Sequence, residues 1–286
     1  MKEFIELLKA FILGIIEGIT EWLPISSTGH MIIFDGLWPM NVSEEFRSLF
    51  LVVIQLGAIV AVPVIFFDKL WPFSKKRGKE ENKRTLSLWG KVIVGAIPAA
   101  VIGLVLDDLI DEYLMGGSIG TFVVASALIL YGIGFIIVER LHKDKPARIT
   151  DVHDITYKDA LVIGSFQVLS LIPGTSRSGS TILGGLVWGV SRTAASEFSF
   201  FMAIPIMLGA SLLKVVKYFL VDGLTIGMLE FGMLAVGLVV SFLVSVVAIR
   251  FLMNFVKSHT FSAFGIYRIV LGAVLIGYFL LGTFVF

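Results

Sequence analysis

The sequence contains no cysteine and few charged residues, and both shortages limit what the chain can be. Without cysteine it has no disulfide, no thiolate metal site and no cysteine nucleophile, and its redox compartment stays open. Charged residues make up 16% of the chain, whereas soluble domains carry about a quarter. Hydrophobic residues reach 57%, and the mean hydropathy is +0.93. These values exclude a soluble globular domain and indicate a membrane protein.

Hydrophilic stretches are short, and the basic residues stand in loops rather than along one stripe. The formal net charge is +1, so we expect no nucleic-acid partner. The first segment also lacks the pattern of a cleavable signal, because Lys2, Glu6 and Lys9 interrupt its apolar run. We therefore expect that segment to stay in a single membrane domain over 1–286.

Apolar runs of about 20 residues recur along the chain, each long enough to cross a hydrocarbon core of about 30 Å as a helix. Segments 4–36 and 159–190 differ, because each carries charged residues and a central proline flanked by glycine and hydroxyl residues. Proline breaks a helix and frees backbone groups that lipid cannot satisfy, so we predict two re-entrant helix–loop–helix hairpins. The fold class predicted is an all-α polytopic membrane protein. Its six full transmembrane helices are predicted at 46–67, 88–106, 119–139, 196–218, 230–252 and 263–284.

The two halves of the chain resemble each other, which indicates an internal duplication. Segment 24–30 aligns with 173–179 at a separation of 149 residues, and this places Ser27 on Ser176. A Glu-Phe pair and a Leu-Gly-Ala triplet match further downstream at a separation of 152. The predicted parts are repeats of approximately 1–139 and 158–286, joined by a basic cytoplasmic loop at 140–157.

The loop charges predict the orientation. Loop 68–91 carries eight Lys and Arg residues, which are enriched in cytoplasmic loops. The acidic turn 107–112 then falls outside, and loop 140–157 falls inside. Three crossings per half make the second repeat enter from the opposite face, so the topology is inverted. The first hairpin dips from outside, and both tips meet near the midplane, where such proteins place their sites.

Glu17 and Glu21 are four residues apart, so on a helix they share one face and present two carboxylates to one point. A charged side chain at the centre of a transmembrane helix costs about 2.5–3.5 kcal/mol on insertion scales, so the pair is a functional hypothesis. Two carboxylates suit a divalent cation. The alternative is that both are solvated charges near the interface.

Hydroxyl groups and an imidazole follow the first break. Ser27 needs a base as a nucleophile, and His30 could be that base if Glu21 orients it. His30 could also attack phosphorus itself. Ser27 is the preferred nucleophile, and His30 is the alternative nucleophile.

The second hairpin contains a Gly-rich, hydroxyl-rich turn over 173–181 that leads into an apolar helix. Such a turn presents backbone N–H groups at a helix N-terminus, which favours an anion. Arg177 adds a permanently charged fork suited to phosphate oxygens. The alternative is that Arg177 pairs with Glu17 or Glu21 for structural reasons alone.

The Glu17-x-x-x-Glu21 pair leading into Pro24-Ile-Ser-Ser-Thr-Gly-His30, with Pro173-Gly-Thr-Ser-Arg-Ser-Gly in the second half, resembles the bacitracin-resistance type of undecaprenyl-diphosphate phosphatase. The resemblance covers essentially the whole chain. It implies a multi-pass enzyme of the bacterial inner (plasma) membrane that removes the terminal phosphate from undecaprenyl diphosphate. The product is the carrier lipid for cell-wall synthesis, which accounts for bacitracin resistance. Higher activity is expected with Mg²⁺ or Ca²⁺.

The resemblance and the residue chemistry together assign the site. The expected catalytic residues are Ser27, His30, Glu21 and Glu17, of which Glu17 and Glu21 are also the expected metal ligands. The expected substrate-binding residues are Arg177, Ser176, Thr175, Gly174, Ser178, Thr181 and Thr28. The topology makes this site open to the outer face.

Two interpretations from other functional classes remain. A transporter or lipid flippase has the same inverted repeats and broken helices, but it needs no nucleophile with a base. A membrane scaffold leaves Arg177 and the paired carboxylates unexplained. The expected partners are the prenyl diphosphate lipid and membrane lipid, and the sequence leaves a homodimer, the metal and the lipid chain length open.

Overall fold

The computed structural model describes residues 1–74, 78–114, 117–143, 145–221, 223 and 225–280, and over these ranges the chain is helical with no β-strand. The α-helices, in chain order, are α1 (Lys2–Thr20), α2 (Ser27–Leu37), α3 (Glu44–Ile65), α4 (Phe67–Leu70), α5 (Lys79–Leu114), α6 (Gly117–His142), α7 (Tyr157–Gln167), α8 (Arg177–Val187), α9 (Arg192–Val216), α10 (Met228–Ser258) and α11 (Ser262–Leu280). Short 3₁₀ turns cover Val152–Asp154 and Val168–Leu171, and a π-helical turn covers Lys217–Val221.

Six of these helices are long and apolar enough to cross a membrane, which confirms the predicted all-α polytopic class. They are Glu44–Ile65, Lys79–Leu106, Gly120–His142, Arg192–Leu220, Met228–Ser258 and Ser262–Leu280. Each contains most of one predicted span. The end of the span predicted at 263–284 lies outside the described residues.

The predicted loop at 68–91 is largely helical, which corrects the sequence interpretation. Helix α5 begins at Lys79, where Lys83 pairs with Glu80 one turn earlier at 2.9 Å. Hydropathy indicates only the part of a helix that lies in lipid, so it does not predict the polar first turns of α5. The predicted acidic turn 107–112 likewise belongs to α5, and its side chains lie outside the described set. Residues 75–77 of the basic cluster also lie outside it.

Glycines let the long helices approach closely in two places. Helix α6 packs along α11, where a Cβ on Gly132 would meet the Gly265 carbonyl oxygen at 2.6 Å. A Cβ on Gly265 would meet the Gly132 carbonyl oxygen at the same distance. Helices α3 and α10 meet similarly at Gly57, with Ser241 donating to the Ile54 carbonyl at 2.7 Å. Small residues and interhelical hydrogen bonds hold membrane helices together where the hydrophobic effect between them is weak.

In two pairs of consecutive helices the end of the second helix lies beside the first helix. Trp188, which follows α8, donates through its indole Nε1 to Asp159 in the first turn of α7 at 2.8 Å. Lys9 in α1 donates to the carbonyl of Pro39, beyond the end of α2, at 2.6 Å. Each pair therefore turns in the middle and returns along itself. Both turns lie next to each other in the interior, where they form the site described below.

Asp159 also holds the loop that precedes α7. Its carboxylate accepts hydrogen bonds from Arg148 at 2.6 Å and from the backbone and hydroxyl of Thr156, which caps the helix. Burial alone would raise the pKa of this carboxyl, but the hydrogen bonds from Arg148, Thr156 and Trp188 hold the pKa well below its usual range. The carboxylate is therefore a fixed charge at the base of the α7–α8 pair.

Candidate active site

The turn between α1 and α2 begins at Glu21. The Glu21 backbone N–H still bonds to the Glu17 carbonyl at 3.0 Å, so both carboxylates lie on one continuous helical path. Pro24 follows and the helix ends. Ser26 then takes a positive φ of 73°, and its hydroxyl accepts from the Gly29 N–H at 3.3 Å to begin α2. Glu21 and Ser27 thereby lie on opposite sides of one tight turn.

The turn before α8 repeats this geometry. Ser176 has a φ of 72°, and its hydroxyl accepts from the Gly179 N–H at 3.1 Å. Both helices that follow are 11 residues long. Ser26 and Ser176 are the only non-glycine residues with positive φ in the described ranges. A non-glycine residue in a sparsely populated backbone region costs about 1–3 kcal/mol, and such residues cluster at functional sites.

This shared cap corrects the register of the repeat. The sequence alignment pairs Ser27 with Ser176, but the structure matches Ser26 with Ser176, and therefore Ser27 with Arg177. One extra residue stands between the proline and the cap in the second turn. Gly174 accommodates it with a φ of +87°, at a point where a Cβ would lie 2.6 Å from the Val124 carbonyl oxygen.

Glu21 connects the two turns. One carboxylate oxygen accepts from Ser27 Oγ at 2.9 Å. The other accepts from Arg177 Nε at 3.3 Å and from Nη2 at 3.0 Å. The two side chains of this ion pair are 10% and 12% exposed, so the charges interact with little solvent screening. The pairing of Arg177 with a buried carboxylate, raised above as an alternative, is thus present.

Arg177 keeps donors for a ligand despite this pairing. Its Nη1 donates to the Ser199 carbonyl at 2.9 Å, and its guanidinium lies 5.8 Å from the ring centre of Trp22. A guanidinium has five N–H donors, of which the described contacts use three. The first backbone N–H groups of α8, those of Arg177 and Ser178, also point away from the helix and have no intrahelical acceptor. Together they form a small region rich in donors.

Glu17 lies one turn before Glu21 and is 2% exposed. Its Oε1 has no hydrogen-bond partner among the described residues. A buried carboxylate oxygen without a partner calls for a proton or a cation. No group of three or more acidic or histidine side chains within the described ranges could enclose a metal. Two carboxylates one helical turn apart are compatible with Mg²⁺, which proteins often hold by one or two carboxylates together with water and substrate phosphates.

His30 does not take the position that the sequence predicts for it. Its Nδ1 bonds to the Ser26 carbonyl and its Nε2 to the Tyr267 hydroxyl, each at 2.7 Å. A carbonyl can only accept, so Nδ1 carries a proton, while Nε2 is occupied by its hydrogen bond with the Tyr267 hydroxyl. Ser27 donates directly to Glu21, and Glu21 contacts Ser27 and Arg177 rather than orienting the imidazole. Ser27 and His30 therefore contact different partners.

The remaining predicted binding residues lie at different depths. Thr28 is exposed in the first turn of α2. Ser178 is buried and donates to the Glu21 carbonyl at 3.0 Å, while Ser176 Oγ lies 3.2 Å from Ser178 Oγ. Thr181 is fully buried, with its hydroxyl 2.6 Å from that of Ser199. Ser178 and Thr181 therefore stabilise the turn from the buried side of α8.

Gly174 and Thr175 direct their carbonyls to a residue that the sequence interpretation did not include. Arg268 of α11 donates from Nη2 to both carbonyls, at 3.0 and 2.9 Å. Its Nη1 donates to the Pro24 carbonyl in the other turn at 3.2 Å. An arginine inside the apolar run 262–280 is itself a signal of function, so the sequence did contain the clue.

The model of the family described as "Bacitracin resistance protein BacA" matches residues 10–274. A protein of Enterococcus faecalis named undecaprenyl-diphosphatase is 54% identical over 277 residues, which cover 97% of this chain and 99% of that relative. Proteins with the same name from Lactiplantibacillus plantarum and Lachnoclostridium phytofermentans are 52% and 50% identical, over 97% and 98% of this chain and 99% of each relative.

Proposed function

The chain belongs to the bacitracin resistance protein BacA family, and we propose that it is an undecaprenyl-diphosphatase. It is a multi-pass membrane hydrolase that converts undecaprenyl diphosphate into undecaprenyl phosphate and inorganic phosphate. This reaction recycles the carrier lipid for cell-wall synthesis and confers bacitracin resistance. The observation that carries the proposal is the buried contact of Ser27, Glu21 and Arg177. It combines a nucleophile, a base and a phosphate-binding cation.

Ser27 is the nucleophile in the mechanism that this geometry favours. Its Oγ–H points at a Glu21 oxygen 2.9 Å away, so Glu21 can take the proton as Oγ attacks the terminal phosphorus. The bond from that phosphorus to the bridging oxygen breaks, and undecaprenyl phosphate leaves. Glu21 passes the serine proton to the departing phosphate oxygen and is a carboxylate again. It then takes a proton from the water that attacks the phosphoserine, and returning this proton to Ser27 Oγ as the P–O bond breaks releases inorganic phosphate. Direct attack by His30 Nε2 is the alternative, and it requires Tyr267 to release that nitrogen.

Arg177 and the first N–H groups of α8 bind the diphosphate. As phosphoryl transfer spreads charge over the oxygens of the transferring group, fixed donors in a site of low dielectric stabilise it. The two free guanidinium donors and the Arg177 and Ser178 amides supply such contacts. Thr28, exposed beside Ser27, is available to the same group.

Glu17 and Glu21 are the residues that would hold a divalent cation, Mg²⁺ or Ca²⁺, which when bound would neutralise phosphate charge. The support is the unpartnered Oε1 of buried Glu17. Binding of Mn²⁺ as a paramagnetic probe tests this independently of activity. We expect the affinity to fall at least tenfold in Glu17→Gln and to stay unchanged in Glu3→Gln, at the exposed start of the same helix. Equal binding by both variants would contradict the assignment.

The α1–α2 and α7–α8 pairs are re-entrant hairpins in an inverted repeat. Helices α2 and α8 have 11 residues each, about 16 Å, which is too short for a core of about 30 Å. The return of α2 and α8 along the helices that precede them and the shared serine caps support the same interpretation. We place the chain in the bacterial inner membrane, with the α1–α2 hairpin entering from outside and the site open to that face.

Single cysteines introduced into the cysteine-free chain test the topology. Gly78 should be labelled by an impermeant maleimide only from the cytoplasmic side, and Gly227 only from outside. Labelling of both from one side would reject three crossings between them. The reversed pattern would invert the orientation and place the site on the cytoplasmic face.

Phosphate release from undecaprenyl diphosphate by the purified protein tests the activity. We expect release that depends on divalent cation and falls at least 100-fold in Arg177→Ala, because the diphosphate loses its paired donors. Arg250→Ala removes an exposed arginine of α10 and serves as the matched control. Folded protein that releases no phosphate with any divalent cation would favour a transporter or flippase.

A further inference from the structure

Arg268 lies at the centre of the protein and contacts both turns of the site. It is fully buried, and it donates to the carbonyls of Pro24, Gly174 and Thr175 at 2.9–3.2 Å. A fourth, longer hydrogen bond runs from Nε to the Leu128 carbonyl of α6 at 3.4 Å. One side chain from the C-terminal helix thus joins segments that are about 150 residues apart in the sequence.

No carboxylate pairs with Arg268 within the described ranges, which is unusual for a buried cation. Its charge is held by carbonyl oxygens and by the ring of Tyr131, whose centre lies 5.5 Å from the guanidinium carbon. Burying an unpaired arginine in a membrane protein is costly. The contacts account for this cost, since only a planar guanidinium with five donors can bond to carbonyls on two separate turns at once.

We propose that Arg268 is a positioning residue that fixes the spacing of the two catalytic turns, and this rests on the proposed phosphatase function. Pro24 stands three residues before Ser27, and Thr175 stands two residues before Arg177. Holding those two carbonyls on one guanidinium therefore sets how far the nucleophile lies from the phosphate-binding arginine. The described hydrogen bonds of Arg268 all go to backbone carbonyls, so it acts through the turns rather than on the reacting groups.

Tyr267, the preceding residue, attaches α11 to the first turn at a second point. Its hydroxyl bonds to His30 Nε2, and His30 Nδ1 bonds to the Ser26 carbonyl, both at 2.7 Å. Consecutive residues of α11 thus hold the strained Ser26 cap and the turn beside it. This double attachment explains how two positive-φ serines keep a fixed separation inside the protein.

The kinetic test compares Arg268→Met with Arg268→Lys. The Met variant removes every donor and leaves buried carbonyls unpaired, so it is also a test of folding. The Lys variant keeps the charge and much of the packing but cannot reach both turns at once. A displacement of about 1 Å in a site can cost about 100-fold in rate. We therefore expect Arg268→Lys to lower kcat 10- to 100-fold, with KM for undecaprenyl diphosphate within about threefold of wild type. Arg250→Lys, on α10, should leave both parameters unchanged.

A distance measurement tests the same proposal without activity. Spin labels on cysteines replacing exposed Ile19 and Leu169 report the separation of the segments that lead into the two turns. We expect a defined distance in the wild-type background and in Arg250→Lys, and a shifted or broadened distribution in Arg268→Lys.

An unchanged distance with wild-type kcat in Arg268→Lys would overturn the proposal. So would a large rise in KM with kcat unchanged, because Arg268 would then bind substrate directly. If the wild-type protein releases no phosphate, the proposed function fails, and the distance measurement still decides whether Arg268 fixes the turns.

Discussion

Glu21→Gln is the substitution that most directly tests the mechanism. Arginine has only donors, so the single amide oxygen of the substituted side chain must face Arg177. The amide NH₂ then faces Ser27 and turns that hydrogen bond around, so Ser27 becomes the acceptor. The serine proton no longer points at a base, although the volume of the side chain is almost unchanged.

The magnitude follows from the two contacts that change. Loss of a positioned general base lowers kcat by about 10²–10⁴-fold. The ion pair is also broken, with both side chains at most 12% exposed, which leaves the Arg177 charge without its hydrogen-bonded carboxylate. Removing one partner of a buried pair costs about 3–5 kcal/mol, and the retained amide hydrogen bond puts the expected loss near 3 kcal/mol.

Phosphate release and thermal unfolding of the same preparations check both numbers. Glu3→Gln, which removes a carboxylate from the exposed first turn of α1, should match wild type in each assay. A Glu21→Gln protein that keeps kcat within threefold of wild type would refute the base assignment. An unchanged melting temperature would refute the energetic role of the pair.

Three further predictions concern other positions. Ser27→Ala should reduce phosphate release to the level without enzyme, and near-normal turnover would transfer the nucleophile role to His30. Asp159→Asn should destabilise the protein by about 1–3 kcal/mol at pH 7, because its hydrogen bond to Arg148 loses its charge. The lowered pKa of Asp159 keeps that stability intact above about pH 4 and removes it as the pH falls further, so the difference in melting temperature should shrink there. Gly164→Ala should prevent stable folding, since a Cβ would overlap the Gly95 carbonyl, and recovery of monodisperse protein at wild-type yield would contradict it.

The membrane-crossing part of the fold could be read from the sequence, because hydropathy reports burial in lipid directly. Each of the six predicted spans overlaps a helix that is long and apolar enough to cross a membrane, and Pro24 and Pro173 lie in the breaks between helices. Helix ends that leave the membrane were not predictable in this way. The first turns of α5 are polar, and their helical structure depends on local pairs such as Lys83 with Glu80.

The sequence predicts which residues make up the site, but it does not predict which of them contact each other. The spacing of Glu17 and Glu21 gave their common face, since it depends only on helix periodicity. The partner of His30 could not be predicted, because Tyr267 stands 237 residues away in the sequence. The pairing of Ser27 with Ser176 is wrong by one residue, because the serine caps, and not the prolines, hold equivalent positions in the two turns.

The shared caps place the key residues of the two turns at the same structural position. In each turn a serine with positive φ caps a helix of 11 residues, and the next residue is the first of that helix. That position holds Ser27 in one turn and Arg177 in the other, and Glu21 binds both. A side chain at this first helical position projects beside the free N–H groups of the helix N-terminus, where binding of a phosphate is favoured. In the proposed mechanism the two turns present the nucleophile and the cation from the same structural position to one phosphate, and Arg268, bonded to both turns, fixes their spacing.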